Sequence, residues 1–130
     1  MNEAELFIFL KIIILDLKMM PDQYSTVDCY SEKYKMYIEL KCRATHYEEL
    51  LLEEKKYRTL KVRAGLKGYY PIYINSTPKG IYVFRLPMTE PVWSIRKMPA
   101  STHFENTEKI DKQICFLKIS EANKFYPLPK

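Results

Sequence analysis

The eight residues Met36-Tyr-Ile-Glu-Leu-Lys-Cys-Arg43 decide how this chain reads. In an extended backbone Met36, Ile38, Leu40 and Cys42 fall on one face, and Tyr37, Glu39, Lys41 and Arg43 on the other. Alternation sustained over this length predicts a β-strand. Its polar face sets a carboxylate, an ammonium and a guanidinium in a row. Such a face is either a solvated strand surface or part of a site.

Upstream, Tyr24–Ser31 reads as a partner strand, with Asp28 and Tyr30 on one side. The polar gap 32–35 predicts a short hairpin loop. With the turn centred between Lys33 and Tyr34, Asp28 faces Glu39, Tyr30 faces Tyr37 and Thr26 faces Lys41. Two carboxylates across a strand pair repel each other. A hard divalent cation such as Mg²⁺ (or Mn²⁺) compensates, taking oxygen from Asp28, Glu39 and the Leu40 carbonyl. Lys41, on the same face, can stabilise negative charge building on a phosphate or act as a base with a lowered pKa. The sequence leaves both roles open.

Downstream, Leu50-Leu51-Leu52 can begin a helix or form a short buried strand. Residues Glu53–Ala64 read as a helix with Tyr57, Leu60 and Ala64 inward and glycines at 65 and 68 after it. Its bases, Lys55, Lys56, Arg58, Lys61, Arg63 and Lys67, are a solvated face or a phosphate-tracking patch. Tyr69–Asn75 and Ile81–Leu86 predict two strands joined by Ser76-Thr77-Pro78-Lys79-Gly80. Prolines 87, 91 and 99 predict an irregular stretch anchored by Trp93. Lys112–Ile119 reads as a last strand, and 121–130 as a tail.

At the other end, Leu6, Leu10, Ile13, Leu17 and Met20 make one helical stripe that Asn2 can cap and Pro21 ends. Phe7, Ile8, Ile14, Leu15 and Met19 lie off that stripe. A helix this apolar implies deep burial or a partner, and the expectation is a homodimer through it. Lys11, Asp16 and Lys18 interrupt the run, which argues against a transmembrane span or a signal peptide and so against a membrane partner. Cys29, Cys42 and Cys115 lack metal-site spacing and suit free thiols in a reducing cytoplasm; His46 and His103 stand apart, against a zinc site. Lysine plus arginine number 21 against 16 acids, a net charge of +5 that suits a polyanionic partner.

Asp28, a spacer of about ten residues and then Glu39-Leu40-Lys41 resemble the PD-(D/E)XK nuclease superfamily. The resemblance implies a restriction-endonuclease-like α/β (α+β) core over about residues 2–86. That core would have an N-terminal helix, a central mixed sheet of about five strands and a second helix after the Glu-Leu-Lys strand, all in one domain of 1–130. It implies Mg²⁺-dependent hydrolysis of DNA phosphodiesters, with RNA left open. Asp28 and Glu39 become metal ligands and Lys41 the catalytic lysine. Glu3 or Glu5 is the first-helix carboxylate that many members add. Lys56 is the second-helix polar residue, with Glu53 behind it, and Arg43, Lys55, Arg58 and Lys61 would contact nucleic acid. Asp22 follows a literal Pro21 but sits at a helix exit, so Asp28 is preferred. The competing reading keeps this fold as a nucleic-acid-binding or protein-interaction module without chemistry.

Overall fold

The computed structural model describes residues 1–21, 27–87, 89–100 and 108–129. Asp22, Thr26 and His103, all named above, lie outside them. The chain runs helix α1 (Glu3–Ile13), strands β1 (Lys18–Met19), β2 (Cys29–Ser31), β3 (Met36–Cys42) and β4 (Glu49–Glu53), helix α2 (Glu54–Lys67), then β5 (Tyr70–Thr77), β6 (Gly80–Arg85), β7 (Ser94–Pro99), β8 (Lys109–Lys118) and β9 (Lys124–Tyr126). The main sheet has six strands in the order β1-β2-β3-β5-β6-β9, and a separate sheet of three has the order β4-β8-β7. Among the described residues only β3 and β5 pair in parallel. The β4–α2 segment supplies the long crossover that parallel pairing requires.

The alternation in β3 sorts the core into two layers. Ile38 and Leu40 point to one side with Ile72, Ile74 and Ile81, where Leu6 and Leu10 of α1 cover them. Tyr37 points to the other side with Tyr73, Tyr82 and Phe84, against Tyr57, Leu60 and Ala64 of α2 and Leu50 and Leu52 of β4. Burying an aliphatic side chain of this size stabilises by roughly 1.5–3 kcal/mol, so the two layers hold the sheet from both faces.

The predicted hairpin register is the observed one: Tyr30 pairs with Tyr37 and Cys29 with Ile38. The inner face predicted for α2 is also observed, although the helix runs past Gly65 and stops at Gly68, which takes the left-handed conformation at φ 71°. Leu50–Leu52, left open between helix and strand, is strand.

Four elements differ from expectation. The first helix ends at Ile13 rather than near Pro21. Three consecutive β-branched residues (Ile12, Ile13 and Ile14) weaken its last turn. Asp16 then finds better partners outside a helix, accepting from Ser31 Oγ at 2.6 Å and Lys33 N at 2.9 Å. Leu17 still reaches the core, and Lys18–Met19 becomes an edge strand on β2. Of the strand expected over Tyr24–Ser31, Cys29–Ser31 is strand among the described residues, and just before it Asp28 keeps backbone bonds to Ile38 and Met20 while its carboxylate accepts from Leu40 N–H. Ser94–Pro99, expected to be irregular, is β7; its pairing with β8 overrides the low strand propensity of its proline and charges. The expected tail contains β9, which pairs with β6. Gly80 allows that pairing: its φ is 148°, and a Cβ there would overlap the Phe125 ring.

Candidate active site

Asp28, Glu39 and Lys56 come together where β3 meets the hairpin and the first turns of α2. The Asp28 N–H donates to the Ile38 carbonyl at 3.0 Å, and its carboxylate accepts from the Leu40 N–H at 2.7 Å. This clamps Asp28 to β3 on both sides of Glu39. Glu39 is only 8% exposed, and its Oε1 lies 3.3 Å from Lys56 Nζ. Lys56 stands on the first turn of α2, so the crossover that pairs β3 with β5 also delivers this ammonium.

The electrostatics are those of crowded acids. Burial pushes the Glu39 carboxyl up to about 7, the Asp28 charge and a hydrogen bond from Asp28 add to the rise, and Lys56 opposes it. Burial works against the Lys56 ammonium, but Glu39, Asp28 and Glu53 together hold its pKa above the ordinary range. Glu3 joins the group: burial and Asp28 raise its carboxyl, while Lys41 and Lys56 pull it down. Glu5 does not join. Its side chain accepts from the Asn2 N–H at 3.1 Å in a capping box, while Asn2 Oδ1 accepts from Glu5 N at 2.8 Å. Lys41 lies exposed two residues beyond Glu39.

Fully ionised, Glu3, Asp28 and Glu39 carry one charge more than Lys41 and Lys56 balance. A hard cation suits such a set of carboxylate oxygens, Glu39 buried, Asp28 half-buried and Glu3 exposed. Among the described residues no three His, Cys, Asp or Glu side chains are arranged to hold one ion. Were a cation bound here, Asp28 and Glu39 would be its side-chain donors, with a main-chain oxygen such as that of Leu40 as a third.

The four cations expected to meet nucleic acid are placed differently from one another. Arg43 turns inward, donating to the Asn75 side chain at 2.8 Å, the Leu51 carbonyl at 2.5 Å and Tyr73 Oη at 3.2 Å. It ties β4 to β5. Arg58 pairs with Glu54 at 3.3 Å and with Glu90. Lys61 donates to Tyr57 Oη at 3.2 Å, and Lys55 is exposed on α2. Trp93 packs edge-on against Tyr57 at 5.2 Å, as an anchor should.

Three further neighbours were not singled out from sequence. Tyr73 and Asn75 stand beside Glu39 and Lys41 through the parallel register of β3 and β5. Lys112 of β8 pairs with Glu53 at 2.7 Å. The only early signal for any of them was Glu53 itself, placed behind Lys56.

The architecture matches that of a solved structure, the Holliday junction resolvase Hjc of the archaeal hyperthermophile Archaeoglobus fulgidus, with a TM-score of 0.55 and 20% sequence identity, over 92% of this chain and 97% of that one. This is a restriction-endonuclease-like fold. The fold class expected from the sequence, a mixed α/β core with a helix at its start and a second helix after the Glu-Leu-Lys strand, is thus the observed one. No family model and no curated protein sequence matches it. The restriction-endonuclease-like core here is the six-stranded sheet with its two helices, and the three-stranded sheet stands beside α2.

Proposed function

We propose that this chain is a Mg²⁺- or Mn²⁺-dependent endonuclease that hydrolyses DNA phosphodiester bonds. The observation that carries the reading is the meeting of Asp28, Glu39 and Lys56 within a restriction-endonuclease-like fold. Asp28 and Glu39 offer the carboxylate oxygens and Leu40 its carbonyl. When bound, a divalent cation supplies Lewis acidity at the scissile phosphate and acidifies a water for attack. Every other part belongs to the chain. Lys56 orients Glu39 and favours its ionised form against burial and Asp28. Lys41 sets a positive charge where negative charge develops on the phosphoryl oxygens. Glu3 closes the acidic side of the site. Lys55 and the outer ends of Arg58 and Lys61 offer phosphate contacts along α2.

The likeness to a resolvase makes a four-way DNA junction the first substrate to try, beside plain duplex. The test is relaxation of supercoiled plasmid and cutting of a labelled junction with Mg²⁺ or Mn²⁺, with Glu39→Ala alongside. Metal-dependent cleavage is expected from the wild type and none from Glu39→Ala. Equal cleavage by both proteins would remove the site. The competing reading, a non-catalytic DNA-binding or protein-interaction module, draws on the lack of a three-side-chain metal cluster among the described residues. It predicts DNA binding without cleavage in any divalent metal.

A homodimer through α1 belongs to the same proposal. Ile8 is 64% exposed, Ile12 71% and Leu15 77%, an apolar strip along α1 and just beyond it, on the side away from the core. Two copies would present two sites to two DNA strands. Sedimentation at micromolar concentration is expected to give twice the chain mass, and a single-chain mass would discard the dimer. Among the described residues no helix is long and apolar enough to cross a membrane. Three free cysteines suit a reducing, cytoplasmic setting.

A further inference from the structure

Strand β8 is longer than the sheet it belongs to. Its residues Ile114–Lys118 pair with β4, but Lys109–Gln113 have only β7 beside them among the described residues. Across those rungs Ile95 faces Gln113, Arg96 faces Lys112, Lys97 faces Asp111, Met98 faces Ile110 and Pro99 faces Lys109. Five rungs at about 3.4 Å each make a two-stranded ribbon roughly 17 Å long. Of these ten residues only Met98 and Lys112 are even half-buried; the rest are exposed. A bare two-stranded ribbon is marginal in water, so an occupant that covers it would hold it in place.

Its charge says what kind of occupant. These rungs carry four cations, Arg96, Lys97, Lys109 and Lys112, against Asp111, and with Glu108, whose carbonyl accepts from Ala100 N–H just beyond them, the ribbon keeps a net excess of two cations. Arg96 and Lys112 stand directly opposite each other on one face, a like-charge pairing that costs stability unless an anion lies between or beside them. Lys112 has Glu53, and Lys97 has Asp111 at 3.1 Å. Among the described residues Arg96 has only the Phe116 ring, 5.3 Å from its guanidinium carbon to the ring centre. Charges also keep an open edge from pairing with other chains, but either sign serves that purpose. The bias toward cations is what points to a polyanion.

The ribbon is also wired to the candidate active site. Lys112 binds Glu53, Glu53 acts on Lys56, and Lys56 binds Glu39. Its base is therefore joined to Glu39 through two ion pairs and the Glu53–Lys56 attraction between them.

We propose that the β7–β8 ribbon is a DNA-gripping arm that lies in a groove of the duplex, with Arg96 and Lys109 on phosphates and Lys112 at the junction between arm and site. The major groove, about 12 Å wide, admits a two-stranded ribbon. This inference rests on DNA being the substrate, as proposed above, and adds an interface outside α2.

The test is the affinity of the full chain for a fluorescein-labelled 25-bp duplex, followed by polarisation from 50 to 200 mM salt. The variants are Arg96→Ala/Lys109→Ala and, as a control of equal charge change, Lys18→Ala/Lys33→Ala. The arm variant should bind about tenfold more weakly, and its log Kd against log salt should flatten by about two, or 0.9 for each lost phosphate contact. The control should keep the wild-type slope. Cleavage at saturating DNA should stay within about twofold of wild type, because neither arm residue touches the reacting atoms. A wild-type slope in the arm variant overturns the arm and leaves the nuclease reading standing. Arm-dependent binding without cleavage in any divalent metal supports the arm and sinks the nuclease reading. Absence of DNA binding by the wild type overturns both.

Discussion

Lys41→Ala is expected to slow metal-dependent DNA hydrolysis by about 10²–10³-fold, the usual loss when one preorganised charge is removed from a transition state. The argument is one of position. Lys41 is exposed, and it acts on Glu3 at the mouth of the acidic cluster. It is not needed to hold the ground state together, unlike Lys56, whose ammonium touches Glu39. The loss should therefore fall on kcat at saturating DNA, with Mg²⁺ affinity and DNA affinity within a few-fold of wild type. Glu39→Ala should behave differently and lose Mg²⁺ binding as well as turnover, because it removes a proposed ligand. The split is read by single-turnover cleavage beside Mg²⁺ titration. A Lys41→Ala protein that cuts at the wild-type rate would assign catalysis elsewhere.

The second expectation concerns stability against pH in the absence of metal. The Glu39 carboxyl stands near 7 in the fold against an ordinary value of 4.5, chiefly because it is buried. Between those values the folded chain binds more protons at this group than the unfolded chain does, so stability falls as pH rises. Below pH 4.5 the neutral carboxyl is no burden, and above about 7 the full penalty is present. The span of 2.5 pH units corresponds to about 3 kcal/mol at 1.36 kcal/mol per unit. Glu39→Gln cannot ionise and should lack this fall. The measurement is denaturant unfolding at pH 5 and pH 8 in chelator for both proteins. Other groups, Glu3 among them, titrate in both, so the difference between the two curves isolates Glu39. Mg²⁺ at pH 8 should recover much of the loss in the wild type and none in Glu39→Gln. Identical pH profiles would mean that Glu39 is not strained by its surroundings.

Much of this was legible in the chain because it rests on local rules. Alternation in Met36–Cys42 sorted its side chains correctly between the two core layers, and a turn centred at Lys33–Tyr34 set the register of Tyr30 and Tyr37. The inner face of α2 followed from helical spacing. The first-helix carboxylates could have been separated from sequence: Asn2 and Glu5 stand three apart, the spacing of a capping box, which leaves Glu3 free to face the site.

What was not legible depends on contacts between distant segments. Strand β7 carries little strand propensity of its own and β9 is only three residues long, and both exist because β8 and β6 pair with them. The early end of α1 follows from Asp16 finding Ser31 and Lys33, a bond that no periodicity announces. Arg43 was expected to face nucleic acid from the polar side of its strand. It instead spans β4 and β5, because a guanidinium with five donors can satisfy a carbonyl, an amide and a hydroxyl together.

The parallel pairing of β3 with β5 also sets an order of events. Residues 43–69 must be folded across before the two strands can meet. Closing so long a crossover costs chain entropy before any strand contact repays it. The β2–β3 hairpin needs no such closure and can form early, with Glu39 still in water and ionised at neutral pH. Lys56 arrives only with the crossover. The step that buries Glu39 is thus also the step that supplies its counter-charge, and a folding chain never has to hide that carboxylate alone.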